Sequence, residues 1–357
     1  MKILYIVPNP NRIGGVSRSI QRVVHYLKSN GLDVKLFCPD FEAENGVSKS
    51  EMMMMKELLT GSMMQEWTQR VIDKMKTETP DLVVGYYGSS AAYCATAAAK
   101  FLDIPVIACF RGNDINRDFF SSFHAPKLNF VAQNATAITT VSSEMKEKVR
   151  TWLGVEAKFI SNSVDKSIFY NRKKLVKEYK QKWNLDNRAV VGLFGEFKAS
   201  RGLELLDHLK GELQKVQTII VGKVRSSIQK QLPDYVTVIP YINQIEELTI
   251  AYSLCDVVFQ PSKYDGMPNV VLEAMACERI VLASPTGGIK DLINHGENGY
   301  LCSTNDDWKN NLKLALNNNG TQIGKMARES VPEPKEEAAE FISLFSTILK
   351  KNKAHYN

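Results

Sequence analysis

Two carboxylates stand eight positions apart in one short stretch of this sequence, Tyr264-Asp265-Gly266-Met267-Pro268-Asn269-Val270-Val271-Leu272-Glu273-Ala274-Met275-Ala276. Pro268 sits where a helix would begin, since proline suits the first helical turn. Asp265 then lies in the loop before that helix, and Glu273 lies about two turns inside it. Carboxylates so placed can reach one ligand from different sides. Gly266 permits a tight turn and exposes backbone N–H groups. On spacing alone an acidic loop followed by a surface glutamate is the stronger reading.

Four further loops carry residues suited to an anionic or hydroxyl-bearing ligand. Asn11-Arg12-Ile13-Gly14-Gly15-Val16 opens a helix. Paired glycines let backbone pass close to a ligand, and a helix N-terminus attracts phosphate. A plain turn has the same composition. Gly195-Glu196-Phe197-Lys198-Ala199-Ser200-Arg201-Gly202 sets two cations, Lys198 and Arg201, beside glycines at a strand-to-helix turn. A cation with free backbone donors suits a diphosphate. An ordinary loop with solvated cations fits as well. Ser284-Pro285-Thr286-Gly287-Gly288-Ile289 repeats the two-glycine pattern of the first loop. Arg111-Gly112-Asn113-Asp114 could orient an acceptor, or Asp114 could simply cap a helix.

Each loop follows a short apolar run. One set of strands is expected at Lys2–Val7, Asp33–Cys38, Leu82–Tyr87, Pro105–Phe110 and Ala137–Val141. A second set is expected at Ala189–Phe194, Gln217–Val221, Val236–Ile239, Val257–Gln260 and Arg279–Ala283. Most are continuously apolar, as strands buried on both faces of a parallel sheet are. Helical patterns lie between them. In Val16–Lys28 one stripe holds Val16, Ile20, Val23, Val24 and Leu27, opposite Arg18, Arg22 and His25. Gln244–Leu254 and Val270–Ala276 are similar. This alternation predicts an α/β fold of two Rossmann-like, doubly wound parallel-sheet domains, with ligands at the carboxyl ends of strands.

A polar, basic interruption, Ser161–Asp186, separates the two strand sets. We expect a first domain over 1–165 and a second over 166–334, facing a central cleft. The amphipathic terminal segment carries Ala338, Phe341, Leu344, Phe345 and Ile348 on one face. A helix over 335–357 is expected to pack back on the first domain.

Bulk properties narrow the function classes. The chain has 357 residues, enough for two sizeable cores. Its net charge of +6 is interspersed, without the basic stripe of a nucleic-acid protein. The six cysteines, Cys38, Cys94, Cys109, Cys255, Cys277 and Cys302, show no CxxC spacing and read as buried thiols of a reducing compartment. The opening MKILYIVPNPNR reads as a strand rather than a signal-peptide core. No run approaches the roughly 18 apolar residues of a membrane span. A cytoplasmic location is expected, with membrane contact at most peripheral. The basic face of Val16–Lys28 could make that contact, or could simply be solvated. Met52–Met55 reads as flexible core or cleft filling.

Together these loops resemble family 4 of the retaining glycosyltransferases (GT4, glycosyl transferases group 1), which has the GT-B fold. The most specific stretch is Phe259–Leu301, FQPSKYDGMPNVVLEAMACERIVLASPTGGIKDLINHGENGYL. It is similar to the family's E-x7-E region, its GG-x-x-[DE]-[LVI]-I segment and its NG-[YF]-L ending. The Gly14-Gly15 loop, Asn162-Ser163-Val164-Asp165 and the GxFxxx[KR]G loop follow the family's order.

The resemblance implies transfer of a hexose-type sugar from a nucleotide-sugar, with retention and without a metal or other cofactor. It places the donor on the second domain and the acceptor on the first. Glu273 would bind the donor ribose. Asp265 and the backbone of Gly266, Met267 and Pro268, with Asn269, would hold the sugar. Arg201 would face the diphosphate with Lys198 and Gly15, and Tyr241 and Ile242 would sit by the base. Asp265, Glu273 and Arg201 would carry catalysis, with fixed positive charge stabilising the leaving diphosphate. Gly14, Arg111, Asn113 and Asp114 would meet a glycan or lipid-linked acceptor, in cell-envelope or extracellular polysaccharide assembly.

Three positions depart from the family pattern. Asp265 replaces a glutamate, Glu196 stands where an arginine is usual, and Arg111 where many members have a histidine. A non-catalytic binding protein on the same fold, or a sugar-nucleotide epimerase, stays open as an alternative.

Overall fold

The computed structural model describes residues 1–8, 15–39, 49–197, 202–317 and 320–355; the side chains of 15–16, 49–62, 320–321 and 353–355 lie outside that description. Gly14, Lys198, Arg201 and the side chains of Met52–Met55 therefore fall outside it. The chain divides into two compact units, Met1–Ser161 with Pro334–Asn357, and Asn162–Glu333. The first boundary lies four residues before the expected one.

The described strands of the first unit are β1 (Lys2–Ile6), β2 (Asp33–Phe37), β3 (Leu82–Tyr86), β4 (Val106–Cys109), β5 (Ala137–Thr140) and β6 (Lys158–Phe159). They form one parallel sheet in the order β2-β1-β3-β4-β5-β6. Side chains alternate across a strand. Ile3, Tyr5 and Val7 accordingly join the core under the helices Gly15–Ser29 and Pro334–His355. Leu4 and Ile6 join the opposite core, with Val71, Met75 and the helix Ala91–Leu102. Ala91, Ala92, Ala95, Ala98 and Ala99 are all buried there. Their small side chains let the helix lie close on β3, where a Cβ added at Gly85 would stand 2.5 Å from Ala92 Cα.

The terminal helix buries Ala338, Phe341, Phe345 and Ile348, spaced at three and four residues along one stripe. Burying a phenylalanine contributes about 1.5–3 kcal/mol, which is ample to dock the helix. Arg22 and Glu337 add an ion pair at 3.4 Å between this helix and Gly15–Ser29.

The described strands of the second unit are β7 (Val190–Phe197), β8 (Gln217–Val224), β9 (Val236–Ile239), β10 (Val257–Gln260), β11 (Ile280–Ala283) and β12 (Tyr300–Leu301). Their order is β12-β11-β10-β7-β8-β9, again parallel. The chain steps outward from β7 through β8 to β9, then returns to β10 on the other side of β7. Adjacent strands whose connections leave in opposite directions open a crevice at their carboxyl ends. That switch point lies at β7/β10 here, and at β1/β3 in the first unit.

β7 and β8 run longer than the sequence suggests. Gly195, Glu196 and Phe197 continue β7 instead of opening a loop, because β8 pairs with them through Gly222, Lys223 and Val224. Gly222 makes this possible: at φ 150°, an added Cβ would fall 1.9 Å from the Gly195 carbonyl oxygen.

Candidate functional site

At the carboxyl end of β10 the chain passes through Pro261 and Ser262 into the acidic loop, then enters the helix Asn269–Ala276. Pro268 is the cap, one residue before the helix, with extended backbone. Asp265 is half-buried and accepts the N–H of Gly266 at 2.8 Å. Gly266, Met267 and Pro268 are buried.

Two neighbours clamp this loop. Gly288 N–H donates to the Gly266 carbonyl at 2.6 Å. Asn162 Nδ2 donates to the Met267 carbonyl at 3.1 Å. The Gly287-Gly288 pair follows β11, as expected, but its glycines admit the acidic loop. A Cβ at Gly287 would stand 2.1 Å from the Asp265 carbonyl oxygen, and one at Gly288 2.6 Å from Met267 Cε. Gly287 also holds φ 52°, where a side chain is strained.

Glu273 lies in the second turn of the helix and is 7% exposed. The hydroxyl of Tyr252 donates to its Oε2 at 2.7 Å. A bond to an ionised carboxylate contributes about 1.5–3 kcal/mol and fixes the rotamer. Tyr252 is itself fixed, stacked on Phe194 of β7 with centroids 4.1 Å apart and planes at 22°. Gly192 leaves room for that ring, since a Cβ there would meet it at 2.8 Å. Sequence reasoning missed Tyr252. The available signal was a tyrosine in the wholly buried stretch Leu248–Leu254, where its hydroxyl needs a partner.

A small recess opens at the β7/β10 switch point, lined by Gly195, Glu196, Phe197, Gln260, Pro261 and Ser262. Gly202 holds φ 106°, and a Cβ there would lie 2.7 Å from Pro261 Cγ. Tyr241, half-buried, and Ile242, buried, follow β9. Lys223 Nζ lies 5.5 Å from the Tyr241 ring centroid. Asp265, the Gly266–Pro268 backbone, Asn269 and Glu273 are thus gathered on one strand-to-helix connection, with Glu196 on the neighbouring strand.

The first unit uses its polar residues differently. Asp114 is fully buried. Its carboxylate accepts the N–H groups of Arg111 and Gly112 at 2.8 Å each, Ile115 at 3.2 Å and Gly88 at 3.4 Å. Burial raises its pKa above the usual carboxylate range, against the lowering effect of these amides. Asp114 therefore ties the loops after β3 and β4 together, and it is not the helix cap that its position suggested. Gly112 is the residue at the cap.

Arg111 is also buried. It donates to Ser19 Oγ at 2.9 Å and lies over the Tyr86 ring at 5.1 Å. These contacts pack it under the helix Gly15–Ser29. Asn113 is exposed at the start of a short helix, and Gly15 opens Gly15–Ser29. His124 has a buried Nδ1 without a hydrogen-bond partner, and burial lowers its pKa.

Two family models match, glycosyltransferase family 4 over residues 13–167 and glycosyl transferases group 1 over 176–330. Between them they take in every strand named above except β1. The chain belongs to the GT4 glycosyltransferases. A GDP-mannose-dependent alpha-mannosyltransferase of Corynebacterium glutamicum is 26% identical over 87% of this chain and 77% of its own length.

Among solved structures, sucrose-phosphate synthase of Thermosynechococcus elongatus superposes with a TM-score of 0.80, at 16% identity, over 98% of this glycosyltransferase and 100% of that chain. HepE of Anabaena, solved in complex with UDP and glucose, gives 0.76 at 17% identity over 97% and 99%. These likenesses show the GT-B type of fold. Among the described residues, no helix is long and apolar enough to cross a membrane.

Proposed function

We propose that this glycosyltransferase takes a hexose-type sugar from a nucleotide-sugar and transfers it, with retention and without a metal, to a hydroxyl of a glycan or lipid-linked acceptor. The observation that carries this is the pair Asp265 and Glu273 on one clamped connection beside the β7/β10 switch point. Glu273, oriented by Tyr252, accepts from the ribose hydroxyls. Asp265 accepts from sugar hydroxyls, beside the backbone from Gly266 to Asn269. Tyr241 and Ile242 flank the base. Lys198 and Arg201 take the diphosphate, where fixed cations stabilise a departing anion without reorganisation. Gly15 stays with this donor set, and Gly14 and Asn113 with the acceptor. A GDP-mannose-dependent relative and a neighbour solved with UDP and glucose support the substrate class. A cytoplasmic enzyme of envelope or extracellular polysaccharide assembly follows as its setting.

The test is thermal unfolding against UDP-, GDP-, ADP- and CMP-sugars, with and without EDTA. At about 100 times its Kd, the true donor adds about 2.7 kcal/mol to stability. The expected result is one donor whose shift survives EDTA and disappears in Glu273→Ala. That donor then yields a product whose anomeric configuration is read by NMR. Folded protein that responds to none of them, or sugar inversion without transfer, would overturn the reading.

A further inference from the structure

The rim of the β7/β10 recess carries a carboxylate, Glu196, on the very side where an anionic ligand is proposed to lie. By itself it would repel a diphosphate. The pairing of β7 with β8 sets Lys223 directly beside it, in register. Side chains two residues apart share a face of a strand. Arg225, just beyond the end of β8, therefore leans the same way, and its Nη2 lies 4.0 Å from Glu196 Oε1. The two side chains are 70% and 45% exposed. An ion pair so exposed adds little to folding stability. It is also easily exchanged for another anion. The three charges sum to one positive charge, and they become two unpaired cations' worth of attraction once Glu196 turns away.

We propose that Arg225, assisted by Lys223, is a cationic arm for the diphosphate of the nucleotide. Glu196 is the internal counter-anion that holds this arm until the ligand replaces it. The proposal rests on the donor-site reading above. Arginine suits the task because its planar fork offers two parallel N–H bonds to phosphate oxygens.

The experiment is calorimetric titration of the whole protein with UDP, GDP and ADP, and with uridine, guanosine and adenosine as probes lacking phosphate. Arg225→Ala is expected to weaken the tightest-bound nucleoside diphosphate about tenfold while leaving its nucleoside within about twofold. Glu196→Gln is expected to tighten the diphosphate about threefold, and to lose that effect in the Arg225→Ala background. Unchanged unfolding midpoints in both variants would exclude a folding defect. Diphosphate affinity indifferent to Arg225→Ala, or a Glu196→Gln gain that persists without Arg225, would overturn the proposal. If the wild-type protein binds and Glu273→Ala abolishes binding, that failure belongs to the Arg225 arm alone. Wild-type protein binding none of UDP, GDP and ADP would sink the donor site and the arm together.

Discussion

The two sheets are alike in being parallel and six-stranded among the described residues, yet their carboxyl ends treat charge in opposite ways. In the first unit Asp114 sinks fully beneath the β3 and β4 loops and satisfies four backbone amides. In the second, Asp265 stays half-buried on a loop, and Glu273 takes a hydroxyl partner where Asp114 takes amides. A carboxylate after a strand can thus be enclosed by the amides of its own loops, as Asp114 is, or stay half-buried with few of them, as Asp265 does. The cations follow the same division. Arg111 is buried on Ser19 and Tyr86, while Arg225 stands in solvent on an exchangeable partner.

Substitutions can break this contrast or sharpen it. Glu273→Ala should have the largest effect, lowering kcat/KM about 100- to 1,000-fold, as removal of a charge-positioning group does in other active sites. Stability should fall as well, by about 1–3 kcal/mol, because the buried Tyr252 hydroxyl loses its acceptor. Asp114→Ala should lower stability alone. Buried amides left without an acceptor lower stability by about 2–3 kcal/mol in denaturant titration, while nucleotide affinity stays within about twofold. A strong loss of affinity in Asp114→Ala would erase the distinction between the two units.

The pH dependence of Asp114 also has a definite sign. Its folded-state pKa is raised, mainly by burial. Its contribution to stability is therefore complete below its ordinary value of 3.8 and is lost as pH rises through the raised value. Tyr252→Phe should lower nucleotide affinity about tenfold, because it removes only the hydroxyl that orients Glu273.

The smallest effect belongs to Glu78, bonded to Lys35 on β2 and to Lys74. The Lys35 hydrogen bond, then that of Lys74, lowers its pKa to about 2. Its contribution is present above pH 4.5 and fades as pH falls through about 2. Urea midpoints of wild type and Glu78→Gln should converge over that window.

Much of the fold was legible because continuous Val/Ile runs and helical stripes carry the signal of a covered parallel sheet. Strands β9 and β10 begin and end at the expected residues. The two-residue strands β6 and β12 were not found, since so short a segment has no periodicity. The end of β7 was taken for a loop because its glycine suggests a turn. Pairing with β8, a contact distant in sequence, overrides that preference.

The stretch Phe259–Leu301 carries the most specific part of the family resemblance and both candidate carboxylates, and its strand, loop, capping proline and helix follow one another locally in the chain. Tertiary structure alone decided how those groups are held. Tyr252 reaches Glu273 across 21 residues, Asn162 reaches Met267 across 105, and Arg111 reaches Ser19 across 92. Local spacing can place a charged residue at the end of a strand. Whether that residue then faces a ligand or disappears into a loop depends on partners delivered by strand order and helix packing, which no short window of sequence contains.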